Sequence, residues 1–130
     1  MKKHIVSHIA IYMLSAVMLF FGYYHLAHPK DMMEYGYIPA NNSVLWVKIV
    51  GVAFILAAIS FILNKYVKIA AYLLAAMLLS FAFFIHFDIY RNAGSDDVKV
   101  NALINILKDT ALAAFALHIA GSADSHGMKF

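Results

Sequence analysis

The chain is expected to fold as an all-α, integral membrane four-helix bundle, with both termini in the cytoplasm and an interfacial loop between spans 1 and 2. Three observations lead there. Of 130 residues, 64% are hydrophobic and only 13% are charged, against about half and about a quarter in soluble domains. The mean hydropathy is +0.77, and a chain this short has too little interior to hide so much apolar side chain. Finally, long apolar runs with few charges alternate with short polar connections.

The first span covers about residues 5–27. His4 to Ala27 contain no Lys, Arg, Asp or Glu, enough chain to cross about 30 Å of hydrocarbon at ~1.5 Å per residue. Lys2 and Lys3 precede it, but it is too long for a secretory signal and lacks a small-residue cleavage site. The loop from His28 to Ser43 carries Pro29 and Pro39 near its ends. Its Met32, Met33, Tyr35, Tyr37 and Ile38 suit a segment lying in the membrane interface. The second span covers about residues 44–63, capped by Asn42 or Ser43, with Lys48 as its one charge. Asn64 to Tyr66 is a tight turn into the third span, at about residues 67–88. Ile89 to Lys99, with Gly94, Ser95, Asp96 and Asp97, reads as a solvated loop. The fourth span, about residues 100–120, reaches spanning length only by including Asn101, Asn105, Lys108 and Asp109. Residues 1–121 thus form one membrane domain, and residues 122–130 a short flexible tail.

Lysine and arginine placement sets the orientation. With the N-terminus inside, Lys2, Lys3, Lys65, Lys68 and Lys129 are cytoplasmic, while Lys30, Lys48, Arg91 and Lys99 lie outside. Helices in lipid associate without a hydrophobic drive, so small residues should mark their contacts. Ala53/Ala57, Ala71/Ala75, Ala76/Ser80 and Ala116/Ala120 have the required spacing of four.

Composition also excludes chemistry. There is no cysteine, which removes disulfides, thiolate metal sites and cysteine nucleophiles from this chain. The net charge of +3 is spread over short connections rather than clustered, so it reads as a topology signal and not as a nucleic-acid surface. No metal site is expected.

Charged groups inside a bilayer cost at least about 2.5–3.5 kcal/mol each near its centre and so need a reason. The N-in orientation places His25, Lys48, His86, Asp88, Asn105, Lys108 and Asp109 in the outer half of the bundle, and all four spans contribute to that layer. Lys108 and Asp109 lie deepest, roughly 12–14 Å from the outer end at 1.5 Å per residue. Asn101, Asn105 and Asp109 share a helix face, and Lys108 borders it. Asp109 is therefore expected to meet Lys48 or a histidine of another span, with Lys108 free to snorkel outward. A bland reading stands beside this one: Lys48 and Asp88 can simply reach water, and His25 and His86 can be boundary histidines. The tyrosines and Trp46 mark the membrane interfaces.

Several stretches together resemble the DoxX-like family of small four-span membrane proteins. The first span ends Phe20-Phe21-Gly22-Tyr23-Tyr24-His25-Leu26, followed by Pro29-Lys30. Pro39 and then Trp46 with Gly51 look like the family's loop proline and second-helix start. Asn101 to Ala113 is similar to its asparagine-and-lysine opening of a small-residue helix. The resemblance covers about residues 5–121. One departure stands out: where many members carry a glutamate followed by glycines, this chain has Gly51-Val52-Ala53-Phe54-Ile55-Leu56-Ala57-Ala58.

The resemblance implies a bacterial inner-membrane accessory protein tied to redox, sulfur or oxidative-stress metabolism, partnered by other membrane or periplasmic redox subunits or by copies of itself. Three functions stay open. The chain is a redox-associated subunit binding a quinone or another small apolar ligand at the outer polar layer, whose residues supply hydrogen-bond donors and proton carriers. Or it is a non-catalytic scaffold or assembly factor. Or it is a small transporter, against which stands the lack of an inverted repeat or broken helix.

Overall fold

A computed structural model of the protein describes residues 2–28 and 43–123. Residues 29–42 of the expected interfacial loop, with its two prolines and the Asn42 cap, and residues 124–130 of the expected tail fall outside the described residues; Ser43 opens the second helix and Ser122 closes the last. Four helices account for nearly all of the rest: α1 (Lys2–Ala27), α2 (Ser43–Leu63), α3 (Val67–Arg91) and α4 (Asp96–Ser122). All four are long and apolar enough to cross a membrane, so the protein is an all-α, multi-span membrane protein.

The turn between α2 and α3 shows how local chemistry ends a helix that hydropathy alone would not stop. Asn64 takes a left-handed conformation (φ 57°). Its N–H donates to the carbonyl of Phe61, and that of Lys65 donates to the carbonyl of Ser60. These two bonds make a Schellman motif, which satisfies carbonyls left orphaned at a helix end. The Ser60 hydroxyl also donates to the Lys65 carbonyl and ties the turn back onto α2. Tyr66, also left-handed (φ 57°), starts α3.

The loop between α3 and α4 is much shorter than expected. α3 continues to Arg91 with Ile89 buried, and α4 begins at Asp96. The reason is visible at Ser95, whose extended backbone lets its Oγ accept from Val98 N at 3.3 Å. Asp96 and Asp97 then sit in the first turn, where carboxylates favour the positive end of the helix dipole. These are polar residues used as helix-start signals, not as loop.

α1 packs chiefly on α2 and α3 on α4, and the two pairs share one core. The core is densest toward the end that holds the α2–α3 turn. There Met18, Ala58, Val67, Ala71, Leu78, Ala116 and Ile119 are almost wholly buried. Ala71, Ala75, Ala116 and Ala120 are buried as their spacing predicts, and Ala57 with them. Ala76 and Ser80 are not contact residues: both are exposed, one step round the helix from Ala75, and the Ser80 hydroxyl bonds the Ala76 carbonyl at 2.7 Å.

At the opposite end the packing changes character. α1 and α2 cross at Gly22 and Gly51. A Cβ on Gly51 would lie 2.8 Å from His25 Cβ and 2.9 Å from the Gly22 carbonyl oxygen. Only glycine allows that approach. In α3, residues Phe81–His86 form a π-helical turn inside the otherwise α-helical span.

Candidate functional site

The π turn is the local feature that builds the site. A π-bulge widens one turn of a helix and often marks a functional position. Here it ends on His86, whose Nε2–H donates to Asp109 Oδ2 of α4 at 3.0 Å. Asp109 is one of two buried polar or charged residues among those described, 4% exposed, the other being Ser15. Ser15 is accounted for locally, since its hydroxyl donates to the Ile11 carbonyl at 2.8 Å. Asp109 is held across helices.

Its second oxygen meets a lysine from its own helix. Lys108 Nζ lies 4.0 Å from Asp109 Oδ1 and donates to Asn105 Oδ1 at 3.4 Å. The same ammonium sits 4.9 Å from the centroid of the Phe21 ring on α1, within reach of a cation–π attraction. Lys108 is therefore not directed away from the bundle. Its side chain, 43% exposed, bridges the seam between α4 and α1.

α1 and α2 complete the surroundings. His25 Nδ1–H donates to the Phe21 carbonyl at 2.5 Å, which leaves Nε2 an acceptor in the neutral ring. The imidazole stands edge-on to Phe54 of α2, with centroids 5.3 Å apart. It lies near enough to Lys108 and Asp109 to interact with both electrostatically. Phe21 and Phe54 are themselves in ring contact, with centroids 6.1 Å apart. The glycine at position 51 makes room for His25 beside α2. All four helices thus converge on one cluster: His25 and Phe21, Phe54, His86, and Asn105, Lys108 and Asp109.

Of the two partners expected for Asp109, the structure brings the histidine and not Lys48. Lys48 is exposed on α2, and no described contact joins it to the cluster. Asp88 is half-buried two residues past His86, and its carbonyl accepts from Asn92 N and Nδ2 at 3.1 and 3.0 Å. Asn101 is half-buried one turn before Asn105. Phe21, Phe54, Gly22 and Gly51 were not singled out as site-forming. Nothing in the spacing of the two phenylalanines distinguishes a ring that packs beside an ion pair from an ordinary lipid-facing or core aromatic. Among the described residues, no group of three His, Asp or Glu could hold a metal ion.

The arrangement has a definite chemistry. A single carboxylate taken from water into the interior costs several kcal/mol, and opposite charge with hydrogen bonds must offset it. His86 and Lys108 supply both. The result is a carboxylate–imidazole pair able to hand a proton between its members, beside an ammonium that is a fixed hydrogen-bond donor. The π turn keeps the imidazole aimed at Asp109.

Fold and site together define the class: a small four-span membrane protein with a buried ionic cluster in one half of its bundle. Comparison with known families narrows this. Residues 3–96 match the family described as methylamine utilisation protein MauE, and the chain belongs to that family. The match supports a multi-span membrane family and does not support the DoxX-like family in particular. It covers α1 to α3 and stops where α4 begins, so Asn105, Lys108 and Asp109 lie beyond it. No curated protein and no solved structure matches the chain significantly.

Proposed function

We propose that the protein is an accessory subunit of the bacterial inner membrane that serves a redox system, within the methylamine utilisation that its family description names. In this reading the cluster around Asp109 binds the head of a quinone or similar small apolar ligand and handles its protons. One observation carries the proposal: Asp109, 4% exposed, is shared between His86 and Lys108 at the end of a π turn. Intramembrane ionisable residues of this kind are rare and belong to ligand or proton pathways by default. A quinone carbonyl would take a hydrogen bond from Lys108, and the Asp109–His86 pair would deliver or accept the accompanying proton. Phe21 and Phe54 offer flat apolar surface beside it. In this reading a membrane or periplasmic redox partner supplies the electrons.

The test is quinone extraction from protein purified in mild detergent. Near-stoichiometric quinone is expected, falling at least about tenfold in Asp109→Asn and in His86→Ala, an equilibrium change of ~1.4 kcal/mol or more. A wild-type protein that carries no quinone, and takes up none when a short-chain quinone is added, sinks the proposal.

A scaffold is the rival reading, and one observation favours it. Both oxygens of Asp109 already have partners, so fixing how the helices pack is by itself a sufficient role for the cluster. A partner subunit that co-purifies undiminished with Lys108→Ala/Asp109→Ala, from protein free of quinone, would select that reading.

A further inference from the structure

α2 and α3 are joined by the tightest connection in the described chain, yet they pack loosely on each other. A lateral groove of about 480 Å³ runs between them, within the roughly 300–1,000 Å³ of small-molecule sites. Independently of the function proposed above, we infer that this groove binds one acyl chain of an anionic phospholipid, with the headgroup phosphate seated at Lys65 and Lys68.

The groove has a tail end and a head end. Its walls are aliphatic, with Leu56, Leu63, Ile69, Leu73 and Met77 among them. Leu56, Leu63 and Leu73 are each at least 60% exposed, so the groove opens sideways, where lipid chains lie. Its polar lining is Ser60, Lys65 and Tyr66, gathered at the α2–α3 turn. Lys68 follows one turn of chain later. The uncapped N-terminus of α3, the positive end of its dipole, lies at the same place.

Charge identifies the occupant. No Asp or Glu occurs between Ala53 and Met77, the whole stretch forming the groove. No acidic side chain of this stretch opposes an anionic headgroup here, whereas a choline headgroup would place its own cation against the lysines. A second copy of the chain is a poorer fit. Its corresponding end carries Lys2, Lys3, Lys65 and Lys68, and like charges would meet across the contact.

Native mass spectrometry of the full chain tests this, using phosphatidylglycerol and phosphatidylcholine with identical acyl chains. Phosphatidylglycerol is expected to stay bound at concentrations about tenfold or more below phosphatidylcholine, the scale two surface lysines support. Lys65→Gln/Lys68→Gln should equalise the two lipids. Ala70→Phe, which fills the groove, should lose both. Leu73→Trp, at an exposed position, repeats that test if Ala70→Phe fails to fold. Equal binding of the two lipids by the wild type overturns the inference. So does a wild-type dimer that Leu73→Trp converts to monomer, since a second copy would then occupy the groove.

Discussion

The two halves of this bundle solve different problems. In the half next to the α2–α3 turn the helices are regular, their contacts are mostly alanines and aliphatic side chains with Phe61 among them, and the one buried polar group among the described residues there, Ser15, is satisfied within its own helix. In the other half α1 and α2 cross on two glycines, α3 opens into a π turn, and an aspartate is buried among cations and rings. Close packing makes the first half intolerant of volume. The second half spends its irregularities on positioning His25 and His86. The difference teaches that stability and chemistry are separable here by depth in the bilayer, and substitutions in the two halves should fail in different ways.

The largest stability effect should come from the regular half. Ala116, fully buried against α3, has no room for a larger group, and Ala116→Leu should cost about 2–3 kcal/mol by overpacking. Reversible denaturant unfolding in detergent would show this as a lower midpoint. Next is the glycine crossing. A methyl at position 51 meets the Gly22 carbonyl at 2.9 Å and His25 Cβ at 2.8 Å, so Gly51→Ala should cost about 1–2 kcal/mol. It should also displace His25, seen as a shift of its imidazole NMR resonances.

Asp109→Asn should sit lower still on the stability scale, at about 1 kcal/mol or less, because the amide keeps a hydrogen bond to His86 and removes a buried charge. It should nonetheless abolish ligand retention. A stability loss for Asp109→Asn larger than that for Ala116→Leu would break the division between the halves. The smallest effect belongs to Lys48→Gln, within about 0.5 kcal/mol, as for most exposed sites away from special contacts. A drop in quinone content from Lys48→Gln alone would enlarge the site to include α2's lysine and blur the comparison from the other side.

Much of the regular half is legible in the sequence, because its signals are additive and local. Apolar length predicts the spans, and the alanine pairs at 71/75 and 116/120 mark buried faces. Ala76/Ser80 shows the limit of that rule: two pairs on one helix lie on different faces, and spacing does not say which of them meets a neighbour. The irregular half is less legible. Phe81 to His86 is an apolar, aromatic stretch with nothing to distinguish a π turn from an α turn, since the choice depends on packing against α4. Asp109 and His86 were both foreseeable as unusual residues, but their meeting depends on helix rotation. Ser95 is a different case. Its capping role, with Asp96 and Asp97 behind it, is written in the residues, but a cap and a polar loop share the same composition.

The π turn has a consequence for how α3 can change. A π turn holds about one residue more than an α turn, so the helix beyond it trails the phase set by residues 67–80. Elsewhere in a packed span, losing one residue throws every later side chain off its face. Within residues 81–86 the loss can be absorbed, because the helix has a slack position from which to revert to α. The outcome would be a bundle that still assembles with the later residues of α3 on their present faces, the change being confined to the backbone that leads into His86. The chain length of this one turn, more than the identity of its phenylalanines, sets the phase on which the ion pair depends.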